Sequence, residues 1–91
     1  MYKEILELKK YCNKIGVNCS YERLLDGFAI RFKNGGDVVQ HFGSYGSESG
    51  CVEFGYTGFK RTDFHATPLK KAKEFVKRNK YKLNRSVLCT K

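Results

Sequence analysis

The apolar positions along the chain change period twice. Over residues 2–15, Ile5, Leu8, Cys12 and Ile15 recur at intervals of 3, 4 and 3, one stripe of an α-helix that Tyr11 widens. Glu4 and Glu7 come early on the other faces and Lys9, Lys10 and Lys14 come late, the order the helix dipole favours. Gly16 stands where a helix ends in left-handed geometry, which glycine adopts without strain. From Val17 the period becomes two. Val17, Cys19 and Tyr21 alternate with polar residues, Asp26-Gly27 signals a turn, and Phe28, Ile30 and Phe32 alternate with Ala29, Arg31 and Lys33. Asn34-Gly35-Gly36 predicts a hairpin turn, with Asp37 to Phe42 as the returning strand. After the polar stretch Gly43–Gly50, Cys51 to Gly55 predicts a further short strand.

The helical period then returns. Thr67-Pro68 reads as an N-cap followed by proline in the first turn, and Leu69, Ala72, Phe75 and Val76 form the apolar stripe. The helix is expected to fade near Asn79. Residues 80–91 read as a basic tail, with 86–90 as a candidate edge strand. The expected fold class is therefore α+β: an N-terminal helix, an antiparallel meander of three to four strands and a C-terminal helix, both helices on one face of the sheet. The expected organisation is one domain over residues 1–79 and a basic C-terminal tail or edge strand over 80–91.

Composition sharpens this picture. The chain has 91 residues, 41% of them apolar, with seven Phe and six Tyr, enough for one small core. No apolar run approaches membrane-spanning length, and Met1 to Gly16 is charged and periodic, unlike a signal peptide, so the expected location is the cytoplasm of the cell that makes the protein. The four cysteines, 12, 19, 51 and 89, form no CxxC pair and are expected as free thiols in a reducing compartment. A Cys12–Cys19 disulfide is possible, though nothing in the sequence calls for it. The net charge of +9 is segregated: residues 17–58 carry three basic against five acidic residues, whereas 59–91 carry eleven against two.

That asymmetry makes nucleic acid, or a nucleoprotein complex, the expected partner. The residues expected to bind it are Lys70, Lys71, Lys77 and Arg78 on the outer face of the second helix, with Lys60 and Arg61 on the preceding loop. Lys80, Lys82 and Arg85 extend the run, and Tyr81 within it offers a ring on which a base can stack. A lysine-rich outer face is also what any solvated helix presents. The glycines of 43–50 lead from strand to strand with no Gly-Lys-Ser/Thr, so a phosphate-cradling loop is not expected. Tyr45 and Glu48 make that loop a candidate protein-recognition element, and a plain hairpin connection is the simpler reading. His41 and His65, with Asp63 and Lys60, are the material for acid–base chemistry, but nothing in the sequence shows that they meet. No catalytic residue, cofactor or metal site is assigned, because the cysteines and histidines lack ligand spacing.

One stretch resembles something known. Residues 36–40, reading Gly-Asp-Val-Val-Gln, and 43–54, with Gly43-Ser44-Tyr45-Gly46, Glu48, Gly50 and Glu53, resemble small α+β proteins encoded by bacteriophages and prophages, in which a threonine-proline start like Thr67-Pro68 opens a closing helix. Those proteins generally have no assigned function and look more acidic near the closing helix. The resemblance implies a non-enzymatic accessory protein of a phage or mobile element. It also leaves open an alternative, an anti-CRISPR-like inhibitor that binds a host defence protein. The helix–strands–helix order is also that of double-stranded RNA-binding domains and of small toxin ribonucleases, so a small ribonuclease using His41 or His65 stands as a further alternative function. The Gly-Pro-x-His loop of the first and the Gly-Ser-His segment of the second are missing here.

Overall fold

A computed structural model describes residues 2–44, 46–55 and 66–85. The first helix, α1 (Lys3–Ile15), buries Ile5, Leu8 and Cys12, the predicted stripe. It ends as its sequence dictates: Gly16 takes φ 85°, its N–H donates to Asn13 O, and the Val17 N–H donates to Cys12 O at 2.9 Å. These paired bonds satisfy carbonyls that a helix end otherwise leaves open, and buried Val17 packs beneath them. At the other end no local side chain caps α1. Gln40, fully buried, reaches from the sheet instead: its Oε1 accepts the Ile5 N–H at 3.0 Å and its Nε2 donates to Glu4 Oε1 at 3.0 Å.

Among the described residues the sheet has five antiparallel strands in sequence order, β1 (Cys19–Leu24), β2 (Gly27–Phe32), β3 (Asp37–Gln40), β4 (Cys51–Phe54) and β5 (Thr67–Pro68). Alternation decides which side chains meet the helices. Ile30, Phe32, Val38, Val52 and Phe54 point into the core with Ile5, Leu8 and Cys12. Their neighbours in sequence point the other way, where Arg31 Nε donates to Glu22 at 2.6 Å and Arg31 also pairs with Asp37 at 3.3 Å. Both partners of the shorter pair are about half exposed, so it contributes under about 1 kcal/mol. Burial pushes the half-buried Asp37 carboxyl above its usual range, helped by the like charge of Glu53 and opposed by Arg31.

The second helix, α2 (Leu69–Arg78), packs against α1 and the sheet through Ala72 and Val76, and the Phe75 ring meets Phe54 edge-on at 4.8 Å. The α+β order and the antiparallel sheet are as the periodicities predict. Three details differ. The β1–β2 turn falls on Leu25-Asp26, one residue before Asp26-Gly27, because Gly27 already pairs with Leu24. Thr67 does not cap α2: it is buried in β5 opposite Val52, Pro68 occupies the cap position, and no side chain bonds there. The third correction concerns the expected tail. After Asn79 the chain makes one more helical turn, α3 (Lys80–Leu83), and Leu83 is fully buried in the core. The folded unit therefore runs past 79, and residues 86–91, with the candidate edge strand, lie outside the described residues.

Candidate nucleic-acid interface

The outer face of α2 follows from its inner one. With Ala72 and Val76 turned to the core, Lys70, Lys71, Lys77 and Arg78 are all exposed. Lys70 and Lys77, like Lys71 and Arg78, are seven residues apart, two helical turns or about 10 Å at 1.5 Å per residue. Glu74 stands among them, also exposed. Lys73 turns aside, its ammonium 5.5 Å from the centre of the Tyr11 ring on α1.

The same logic adds α1 to the surface. Lys3, Lys10 and Lys14 lie opposite the Ile5, Leu8 and Cys12 stripe and are exposed. Because Tyr11 adjoins Lys73 and Gly16 adjoins the Lys80 side chain, the two helices run in the same sense. Their C-terminal ends, where backbone carbonyls concentrate negative potential, converge with Lys14, Lys77, Arg78 and Lys80 around them. The +9 segment of the sequence is therefore only part of the basic face. Lys10 and Lys14 belong to it, and their spacing opposite the apolar stripe is the signal that identifies them.

Past α2, the Leu83 N–H donates to Asn79 O at 2.9 Å and the Asn84 N–H to Lys80 O at 3.1 Å, which winds the turn. Buried Leu83 fixes it to the core, so Lys80, Tyr81 and Lys82 must face outward. Tyr81 is 85% exposed, the largest exposed ring among the described residues. With Lys80, Asn84 and Arg85 it lines an open hollow of ≈ 400 Å³. A flat ring standing in water beside cations is a poor use of apolar area for folding and a suitable platform for stacking a base.

The other predicted positions sit elsewhere. Lys60, Arg61, Tyr45 and His65 lie outside the described residues. Glu48 is exposed in a single 3-10 turn, Ser47–Ser49. Gly50, just after that turn, adjoins Glu4 at the start of α1, whereas Lys80 adjoins Gly16 at its end. The length of α1, about 20 Å at 1.5 Å per residue, thus separates Glu48 from the Tyr81 platform. His41 is engaged locally: its Nδ1 accepts the Gly43 N–H at 3.0 Å, and its backbone carbonyl accepts from Ser44 Oγ at 2.9 Å. Among the described residues no group of three or more His, Cys, Asp or Glu is placed to hold a metal ion, and no helix is long and apolar enough to cross a membrane.

A second surface carries no sequence signal. Asp26, in the β1–β2 turn, accepts the Tyr2 hydroxyl at 2.6 Å on Oδ2 and the Phe42 N–H at 2.9 Å on Oδ1. The Tyr2 hydroxyl, and then the Phe42 N–H, hold the Asp26 carboxyl below its usual range. The same bond raises the Tyr2 hydroxyl. Around this knot Leu25 is 60% exposed and Phe42 70%. No protein-family model, curated protein or solved structure matches the chain.

Proposed function

We propose that this protein binds nucleic acid, alone or within a nucleoprotein complex, through the outward faces of α2 and α3, with Lys70, Lys71, Lys77 and Arg78 tracking phosphates and Tyr81 stacking on a base. The observation that carries this reading is the exposed Tyr81 held among Lys80, Lys82 and Arg85 by the burial of Leu83. Charge on a helix face alone serves solubility equally well; an exposed ring locked within that charge does not. Lys10 and Lys14 extend the same surface. Binding is non-enzymatic in this reading, and an accessory role in a phage or mobile element within a bacterial host rests on the resemblance of residues 36–78.

A mobility-shift titration with single- and double-stranded DNA and RNA over a range of salt tests it. Each phosphate contact contributes about 0.9 to the slope of log affinity against log salt on duplex DNA. Reversing Lys70, Lys71, Lys77 and Arg78 together therefore lowers that slope by about 3.6. Tyr81→Ala weakens single-strand binding by about 1–3 kcal/mol and leaves the slope unchanged. Absence of binding at low salt, or an affinity indifferent to charge reversal, overturns the proposal.

A second reading, inhibition of a host defence protein, is favoured by the exposed Leu25 and Phe42 beside the 43–50 loop. Capture of a host protein from nuclease-treated lysate, lost on Phe42→Ala and kept on charge reversal, selects it over the first.

A further inference from the structure

Lys9, Cys12 and Cys19 come together where α1 hands over to β1. The reversal at Gly16 folds the first residue of β1 back beside the last turns of the helix. Cys12 is fully buried in the core, and Cys19 packs against that core from the edge strand, half-buried. The two thiols lie close enough that each shifts the other's hold on its proton, and both are free. Lys9 is fixed over the pair: its ammonium donates to Asn13 Oδ1 at 3.0 Å, to the Cys19 carbonyl at 3.0 Å and to Cys19 Sγ at 3.5 Å. Cys19 also lines an open hollow of ≈ 500 Å³ whose other walls include Arg31 and Lys33.

Each member has a defined part. Cys12, without exposed surface, cannot meet a reagent. Cys19 can, and a cation stands on its sulfur. We propose that Cys12 and Cys19 form a redox-active dithiol, in which Cys19, positioned by Lys9, attacks a small anionic disulfide of the oxidised-glutathione class and Cys12 resolves the adduct. Lys9 on the sulfur and Lys33 in the wall of the hollow supply the positive charge that suits the carboxylates of such a disulfide, while Arg31 is held by Glu22 and Asp37.

Two exchanges complete the reaction. Cys19 thiolate attacks one sulfur of RS–SR, that S–S bond breaks, a Cys19–S–R bond forms, and RS⁻ leaves and is protonated by water. Cys12 then gives its proton to solvent and attacks Cys19 Sγ, forming the Cys12–Cys19 bond and expelling the second RS⁻. Counted from the neutral dithiol, two electrons and two protons pass from the protein to two RSH, and the small disulfide is the only oxidant. The neighbouring Cys12 thiol, followed by the Lys9 ammonium, lowers the Cys19 thiol to about 6, with burial opposing them. The same pairing raises Cys12, so the proton of the pair stays on the buried sulfur. That division matches an attacking thiol outside and a resolving thiol inside.

The reduced full-length protein is incubated with oxidised glutathione at neutral pH and mapped by peptide mass. The expected product is a Cys12–Cys19 cross-link with two glutathiones released per protein. Cys12→Ala stops the reaction at a Cys19–glutathione adduct, and Cys19→Ala leaves Cys12 unmodified. Alkylation gives a readout that needs no core variant. At pH 6 the larger thiolate fraction of Cys19 outweighs its lower intrinsic nucleophilicity, so it reacts about tenfold faster than an ordinary cysteine of equal access. Lys9→Met moves the pH midpoint of Cys19 alkylation upward and leaves that of Cys51 in place. A stable Cys19–glutathione adduct on the unaltered protein, or equal midpoints for Cys19 with and without Lys9, overturns the proposal.

Discussion

Asn84 fastens the end of the described chain to the end of α1: its Nδ2 donates to the Gly16 carbonyl at 3.0 Å across 68 residues, and its Oδ1 accepts the Asn18 N–H at 2.6 Å. One amide thus satisfies both main-chain groups flanking the α1–β1 reversal and ties the end of α3 to them. Asn84→Ala leaves both groups to water. Because the site is exposed, the expected loss is about 1 kcal/mol, read from the urea midpoint. Amide exchange at Leu83 and Arg85 accelerates more than exchange in β2. Through the proposed base platform, Asn84→Ala also weakens single-strand binding with Tyr81 intact, since the ring loses its fixed mount.

Gln40 performs the same service inside the molecule. Its amide sits fully buried between the start of α1 and the sheet, bonded to the Ile5 N–H and to Glu4. Gln40→Leu keeps the volume and strands the Ile5 N–H without a partner in the core. A buried donor left unmade costs about 1–3 kcal/mol. Gln40→Glu keeps an acceptor for Ile5 but turns a charge toward Glu4, so its stability relative to the parent rises as pH falls and carboxyl groups are protonated, whereas the loss in the leucine variant does not depend on pH in this way. Chemical denaturation of both variants between acid and neutral pH checks this.

The elements legible in the sequence are those whose apolar period is complete. Ile5, Leu8 and Cys12 announce α1, and Phe28, Ile30 and Phe32 announce β2, because several consecutive positions vote for one period. Leu83 stands alone in a basic run and casts no such vote, so residues 80–85 read as a tail although the leucine is core. Thr67-Pro68 is ambiguous by chemistry: a threonine before a proline suits a helix cap and a short edge strand alike, and pairing with Val52 decides. The candidate basic face is half legible. The α2 cations follow from helical spacing, and the same spacing marks Lys10 and Lys14 as outward-facing, but that they adjoin the α2 cations follows only from α1 and α2 running side by side. Lys9, Cys12 and Cys19 depend on a chain reversal at Gly16, which sequence marks as a stop without giving its direction.

The Tyr2–Asp26 bond predicts a stability profile with two limbs. Asp26 is held below its ordinary value of 3.8 in the folded state. Its contribution is therefore complete above that value and is lost as pH falls through the lower folded one. Tyr2 is raised above its ordinary 10.0. Its contribution is complete below that value and lost as pH rises through the higher folded one. Tyr2→Phe removes the alkaline limb and moves the Asp26 carboxyl back toward its usual range, though the Phe42 N–H still restrains it. Carbon-detected NMR titration of the Asp26 carboxyl follows the shift directly. An Asp26 titration indifferent to Tyr2→Phe contradicts the expectation.

The β1–β2 turn predicts opposite outcomes at two positions two residues apart. Leu25 has φ 56°, a left-handed conformation in which its Cβ crowds the backbone, and its side chain is mostly exposed. Such a residue stores about 1–2 kcal/mol. Leu25→Asn keeps the turn in a residue that tolerates this region and removes an exposed apolar group, so stability is expected to rise by about 0.5–1 kcal/mol. Gly27 presents the contrary case. It has no unusual φ, yet a Cβ there would run into the Gln40 carbonyl and approach the His41 Cα at 2.9 Å. Both obstacles are backbone of the neighbouring strand and cannot rotate aside. Gly27→Ala must therefore part β2 from the end of β3 and disturb the Gln40 cap with it, and a loss above about 2 kcal/mol is expected. Thermal unfolding of the two single variants, measured side by side, gives midpoints on opposite sides of the parent.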